Sequence, residues 1–177
     1  GSVAGDFDLM VARLEAGRQA MRPARFDTGE LAGLPPVVQR YFRAVLPEGA
    51  PLITGAVVGH TGMFNMSEGG TSWKLFTSRQ HVVTRRLGFV WNGHIRALPG
   101  LGVYVHDAYI AGEGILRPAI LGIFSLMDLR GGGDIAQGEL LRFFAETPWY
   151  PTALLPSQGV VWEAVDADSA RATLCDC

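Results

Sequence analysis

The apolar positions of this chain change period twice, from helical spacing to alternation and back. Between Asp6 and Met21 the residues Leu9, Met10, Ala12, Leu14 and Met21 give an irregular helical face. Asp6 or Asp8 can cap that helix, and Pro23 ends it. A second helix is predicted after Leu34-Pro35-Pro36, because prolines suit a first turn. There Val37, Val38, Tyr41, Phe42, Val45 and Leu46 recur at helical spacing, and Pro47 is the stop.

From Leu52 the period becomes two. Leu52–Met66, Ser72–Arg86, Gly88–Leu98 and Leu101–Ala111 are each bounded by Gly or Pro, with short intervening turns. That spacing predicts an antiparallel meander. Gly55, Gly59 and Gly62 point to bulges or strong curvature. In the third strand Phe89, Trp91 and Ile95 fall on one face and Asn92, His94 and Arg96 on the other, so one face should be apolar and one wet. The apolar run Ala119–Leu129 is too short to span a membrane and carries Asp128. A buried helix or a lid over a cavity is expected there.

A third helix follows Gly131-Gly132-Gly133, with Asp134 as its cap. Leu140, Leu141, Phe143 and Phe144 lie opposite a charged stripe of Glu139, Arg142 and Glu146. Pro148, Pro151 and Pro156 then forbid regular helix and should hold Trp149 and Tyr150 in a stiff extended corner. Strands Val160–Val165 and Ala170–Cys177 close the chain around Asp166-Ala167-Asp168. The last strand runs out in mid-pattern, so the natural protein is expected to continue. Gly1-Ser2 reads as the scar of a cleaved tag. The expected architecture is α+β, a single domain over residues 1–177. A curved antiparallel sheet, a half-barrel, would have helices packed on its concave face.

Composition sets limits on this picture. Of 177 residues, 48% are apolar and 18% charged, which excludes a disordered chain. No stretch approaches the roughly 20 apolar residues of a transmembrane helix. The chain therefore reads as soluble, with the cytoplasm favoured. Charge is unevenly spread. From Gly69 to His106 there is no acid, while Lys74, Arg79, Arg85, Arg86 and Arg96 are cationic. From Asp134 to Cys177 seven acids face Arg142 and Arg171. Cross-strand pairing of basic with acidic strands is favoured over an anion-binding face. A net charge of −2 argues against nucleic acid as a partner.

Candidate chemistry is sparse. Glu139, Arg142 and Glu146 read better as a solvated helix stripe than as a catalytic set. His60, His81, His94 and His106 match no ligand spacing, and Cys175 and Cys177 lack further ligands nearby, so neither metal nor cofactor is expected. Glu113, between Gly112 and Gly114, could be an exposed base, though turn chemistry explains it equally.

The runs LPPVVQRYFRAVLPEG (Leu34–Gly49), FTSRQHVVTRRLGFVWNGHI (Phe76–Ile95), VHDAYIAGEG (Val105–Gly114) and GELLRFFAETPWYPTALLPSQGVVWE (Gly138–Glu163) resemble an uncharacterised bacterial family. The WYPTALLPS block is the most specific part. That resemblance implies further strands beyond this chain and carries no catalytic residue. The strand and helix pattern is similar to the lipoprotein-carrier (LolA/LppX-like) half-barrel, which implies a sheet that holds acyl chains. The function expected from these readings is non-catalytic binding of an apolar or amphipathic, lipid-like small molecule between sheet and helices. Trp91, Phe143, Phe144, Trp149 and Tyr150 would form the wall. The alternative is an enzyme for a small anionic substrate, using Arg79, Arg96, His81 or His94, and Glu113 as base. A third reading is an interaction module in which the final open strand pairs with another chain, such as a second copy.

Overall fold

The computed structural model describes residues 3–19, 24–67, 69–98, 100–120, 124–125 and 129–174. These fall into two compact units. The first comprises Gly1–Gln19 with Gly55–Phe144, the second Ala20–Thr54 with Ala145–Cys177.

The first unit holds an open antiparallel sheet. Its strands are β1 (Gly55–Asn65), β2 (Trp73–Val83), β3 (Gly88–Leu98), β4 (Leu101–Ile110), β5 (Glu113–Ile120), β6 (Phe124–Ser125) and β7 (Leu129–Gly131). Strands β1 to β6 lie in sequence order, and β7 pairs with β5 as well. The sheet is not closed into a barrel, and the α+β antiparallel architecture is the one the alternation implies. The expected helix or lid over Ala119–Leu129 meets a different outcome where it can be followed. Residues 119 and 120 end β5, and Phe124–Ser125 pair back onto it. The segments 121–123 and 126–128 lie outside the described residues.

Two helices belong with this sheet, and the strand register puts them on opposite faces. Helix α1 (Val3–Ala16) docks Phe7 and Leu14 onto Val83, Val90, Ala108, Ile110 and Ile115, with Met10 and Val11 alongside. Val90, Ala108 and Ile115 are direct cross-strand partners, hence on one face. The inward stripe is thus Phe7, Met10, Val11 and Leu14, and Leu9 is 71% exposed. Helix α3 (Asp134–Glu146) covers the other face: Arg142 lies over the rings of Phe89 and Trp91. A Cβ at Gly114 would meet Ile135 and the Ala136 backbone, so the bare glycine admits the start of α3. The sequence placed the helices together on one concave face. The register separates them, because Phe89 and Val90 point to opposite sides of β3. For the same reason the face expected to be wet is buried where α1 lies.

In the second unit α2 (Pro36–Val45) buries Val38 and Phe42. Phe42 meets Trp162 edge-on at 6.2 Å. Strands β8 (Val160–Ala164) and β9 (Ala170–Leu174) form a separate two-stranded sheet. The corner at Trp149-Tyr150 is not extended. It is a run of 3-10 turns, Thr147–Trp149, Pro151–Leu154 and Pro156–Gln158, each with a proline in its first two positions. Proline lacks only a donor that a first turn leaves free, so three short helical starts follow one another. Gly159, at φ 88°, ends the run in a left-handed conformation that suits glycine.

Candidate functional site

Helix α1 covers only part of its sheet face. The covered rows run from Val83 and Val90 to the row Arg79, Asn92, His106 and Arg117, which pair successively across β2 to β5. At its start Phe7 reaches His81 at 5.7 Å and His106 at 6.2 Å, and Asp6 approaches Arg117 at 3.8 Å. Beyond that row the face is open. Its next row is Thr61, Thr77, His94 and Tyr104, followed by Met63 with Leu75. On β1 and β2 every second residue from Val57 to Met63 and from Trp73 to Arg79 is exposed. Met63, Trp73 and Leu75 are 50%, 54% and 55% exposed. Large apolar side chains on one sheet face would ordinarily be covered.

Two hollows lie at this open end. One, of about 730 Å³, is lined by Lys74, His94, Arg96, Leu98, Leu101 and Tyr104, with small residues between them. The other, of about 350 Å³, is lined by Met63, Leu75, Phe76 and Thr77 and by the same His94 and Arg96. Both fall in the size range of small-molecule sites. The His94 ring stacks on Tyr104 with centroids 4.5 Å apart and planes at 26°. It can lie there because Gly102 has no side chain: a Cβ on Gly102 would run into the His94 imidazole.

The electrostatics are one-sided. The expected pairing of basic with acidic strands does not occur here, because β8 and β9 form their own sheet and β1, β2 and β3 hold no acid. Among the described residues Lys74, Arg79 and Arg96 make no salt bridge. Two carboxylates of β4 and β5 are engaged elsewhere: Glu113 bonds Arg13 at 2.8 Å, and Asp107 bonds Arg142 on the opposite face.

The proposed catalytic set is not brought together. Arg96 pairs with Gly102 and Glu113 with Ile110, at opposite ends of β4. At ~3.4 Å per residue they stand about 27 Å apart. Neither His81 nor His94 bonds a carboxylate among the described residues. Burial holds the His81 pKa below its usual value, and Arg79 adds to that, against Glu15 and Asp8. His106 is 4% exposed, and both its ring nitrogens lack a partner among the described residues. Burial likewise lowers its pKa, opposed by Asp6 and reinforced by Arg117. His60 faces the other way, 3.4 Å from Ser78. No group of three His, Cys, Asp or Glu among the described residues could hold a metal ion. Cys175 and Cys177 lie outside those residues.

The expected aromatic wall divides between the two units. Trp91, Phe143 and Phe144 belong to the first, with Phe143 buried and Trp91 under Arg142. Trp149 and Tyr150 belong to the second, one 54% and the other 1% exposed. None of the five lines either hollow. Arg142 is no solvated stripe. It is half-buried against the sheet, paired with Asp107 and stacked on two rings, while Leu141 is 64% exposed. An arginine can bury its stem and plane against aromatics when a carboxylate takes its charge. Leu75, Leu98, Leu101 and Tyr104, which line the open end with Lys74, were not among the sequence candidates, while Lys74 entered only as part of the basic segment. The acid-free run from Gly69 to His106 was the signal that contained them.

The class these elements define is an open antiparallel sheet protein of mixed α+β type. The pattern of a family of unknown function (DUF6920) matches residues 32–176, and the chain belongs to that family. No curated protein and no solved structure matched the chain. No helix among the described residues is long and apolar enough to cross a membrane.

Proposed function

We propose that this protein binds a small amphipathic molecule, without chemistry, on the part of the sheet face that α1 leaves open. One observation carries the reading. Met63, Trp73 and Leu75 stand half-exposed on a sheet face, beside hollows of about 730 and 350 Å³ that share His94 and Arg96. A face that buries its apolar row under α1 and leaves the next rows bare favours an apolar partner there. The lipoprotein-carrier likeness belongs to this proposal, since an open sheet can offer a face to acyl chains in the same way. The wall of Trp91, Phe143, Phe144, Trp149 and Tyr150 gives way to Met63, Leu75, Leu98 and Leu101.

Native mass spectrometry of the purified protein, followed by organic extraction, tests the reading. A stoichiometric amphiphile is expected on the wild-type chain and missing from Leu75→Asp. The same comparison after incubation with medium-chain amphiphiles, neutral and charged, covers a protein purified empty. Adducts that are absent in every case, or unchanged by Leu75→Asp, overturn the proposal.

A further inference from the structure

Resting on the reading just proposed, we infer that the ligand carries an oxyanion head, held by Arg96 and Lys74 beside His94, with its apolar chain in the larger hollow. Lys74, His94 and Arg96 line that hollow together with Leu98, Leu101 and Tyr104. Among the described residues no acid lines either hollow. Neither Lys74 nor Arg96 is in a salt bridge among the described residues, and the carboxylates of Asp6, Asp107 and Glu113 each meet another arginine. Among the described residues the two cations act on this space without an acid beside them, and a hollow with one sign of charge concentrates the opposite sign. Arginine presents a planar fork that fits the paired oxygens of a carboxylate or phosphate, and lysine adds a point charge.

The geometry also keeps the head near the chain. His94 is fixed by its stack on Tyr104 at 4.5 Å, and Gly102 leaves room for that ring. His94 is the next residue along its face from Arg96, so a group at the arginine lies within reach of an imidazole donor. An apolar ligand would leave two cations without a partner in a partly enclosed site. A free anion would leave Leu98 and Leu101, the first 60% exposed, uncovered. An anionic amphiphile satisfies both.

Isothermal titration with decanoate, decyl phosphate, neutral monodecanoylglycerol and inorganic phosphate, each below micelle formation, tests this. The two anionic amphiphiles are expected to bind about tenfold or more tighter than the neutral one, as one charge-assisted contact gives. That preference should weaken as salt rises. Decanoate tighter than decyl phosphate assigns a carboxylate head, and the reverse order a phosphate. Lys74→Gln with Arg96→Gln should abolish the preference, bringing the anionic amphiphiles to the affinity of the neutral one. Arg96 is exposed and Lys74 only half-buried, so circular dichroism should show an unchanged fold. If the neutral amphiphile binds as tightly as the charged ones, the head-group inference fails and the proposed function stands. If inorganic phosphate matches decyl phosphate, the amphiphile assignment fails. If nothing binds, both fall.

Discussion

Arg142 of α3 bonds Asp107 of β4 while its guanidinium lies 4.8 Å from the centre of the Phe89 ring and 5.2 Å from that of Trp91. The Asp107 side chain is 14% exposed and that of Arg142 27%. This pair fastens a helix to the sheet face opposite α1. Removing one partner strands a charge in poorly hydrated surroundings, which costs up to about 3 kcal/mol for such a site. Arg142→Ala is expected to lower stability by about 2 kcal/mol in urea unfolding. Arg142→Lys should recover little of it, because lysine has no plane to stack on the rings. A loss under about 0.5 kcal/mol would return Arg142 to the class of surface charges.

The two halves of the α1-side face should respond in opposite ways to truncation. Leu14 is 3% exposed under the helix and touches the apolar cluster of Val83, Val90 and Ala108. Leu14→Ala is expected to cost about 3 kcal/mol. Leu75, 55% exposed on the same face, should change stability by less than about 0.5 kcal/mol as Leu75→Ser. Parallel urea titrations give the comparison. Equal losses would mean that the open half is covered in solution.

His106 predicts a pH dependence. Its pKa in the folded protein lies below the usual 6.5, chiefly through burial, with Asp6 raising it and Arg117 lowering it. The unfolded chain therefore binds a proton more readily. Stability should be flat above about pH 6.5 and fall as pH drops from there toward the folded value, by at most about 1.4 kcal/mol per pH unit for this group. His81, shifted the same way, adds to the slope. His106→Gln should flatten the difference in midpoint between pH 7.5 and 5.5. An unchanged slope would assign the acid sensitivity to other groups.

In the second unit the Thr152 hydroxyl accepts a hydrogen bond from the Ile53 N–H at 2.8 Å, and Thr152 is 1% exposed. Thr152→Val keeps the shape and removes that acceptor. The expected loss is about 1–3 kcal/mol. Thr152→Ser should keep most of the stability, which thermal melts would resolve. If Thr152→Val melts like the wild type, the bond contributes nothing.

Much of the fold was legible in the chain, because it depends on local rules. Alternation between Gly and Pro stops gave the strands from Gly55 to Ile110 with nearly their true ends. Prolines and glycines gave α2 and the start of α3. Period two also fixed that Trp73 and Leu75 share a face. What the sequence could not determine is which element covers that face, and how far. Phe7 and Leu14 reach Val83 and Val90 from 69 to 83 residues away. Nothing local says that α1 stops short of His94. The same holds for Arg142: its spacing on α3 reads as a polar stripe, and only the approach of Asp107, Phe89 and Trp91 makes burial favourable. Short-range sterics and hydrogen bonding set the elements here. Long-range packing decided which side chains were buried, and so which were left exposed.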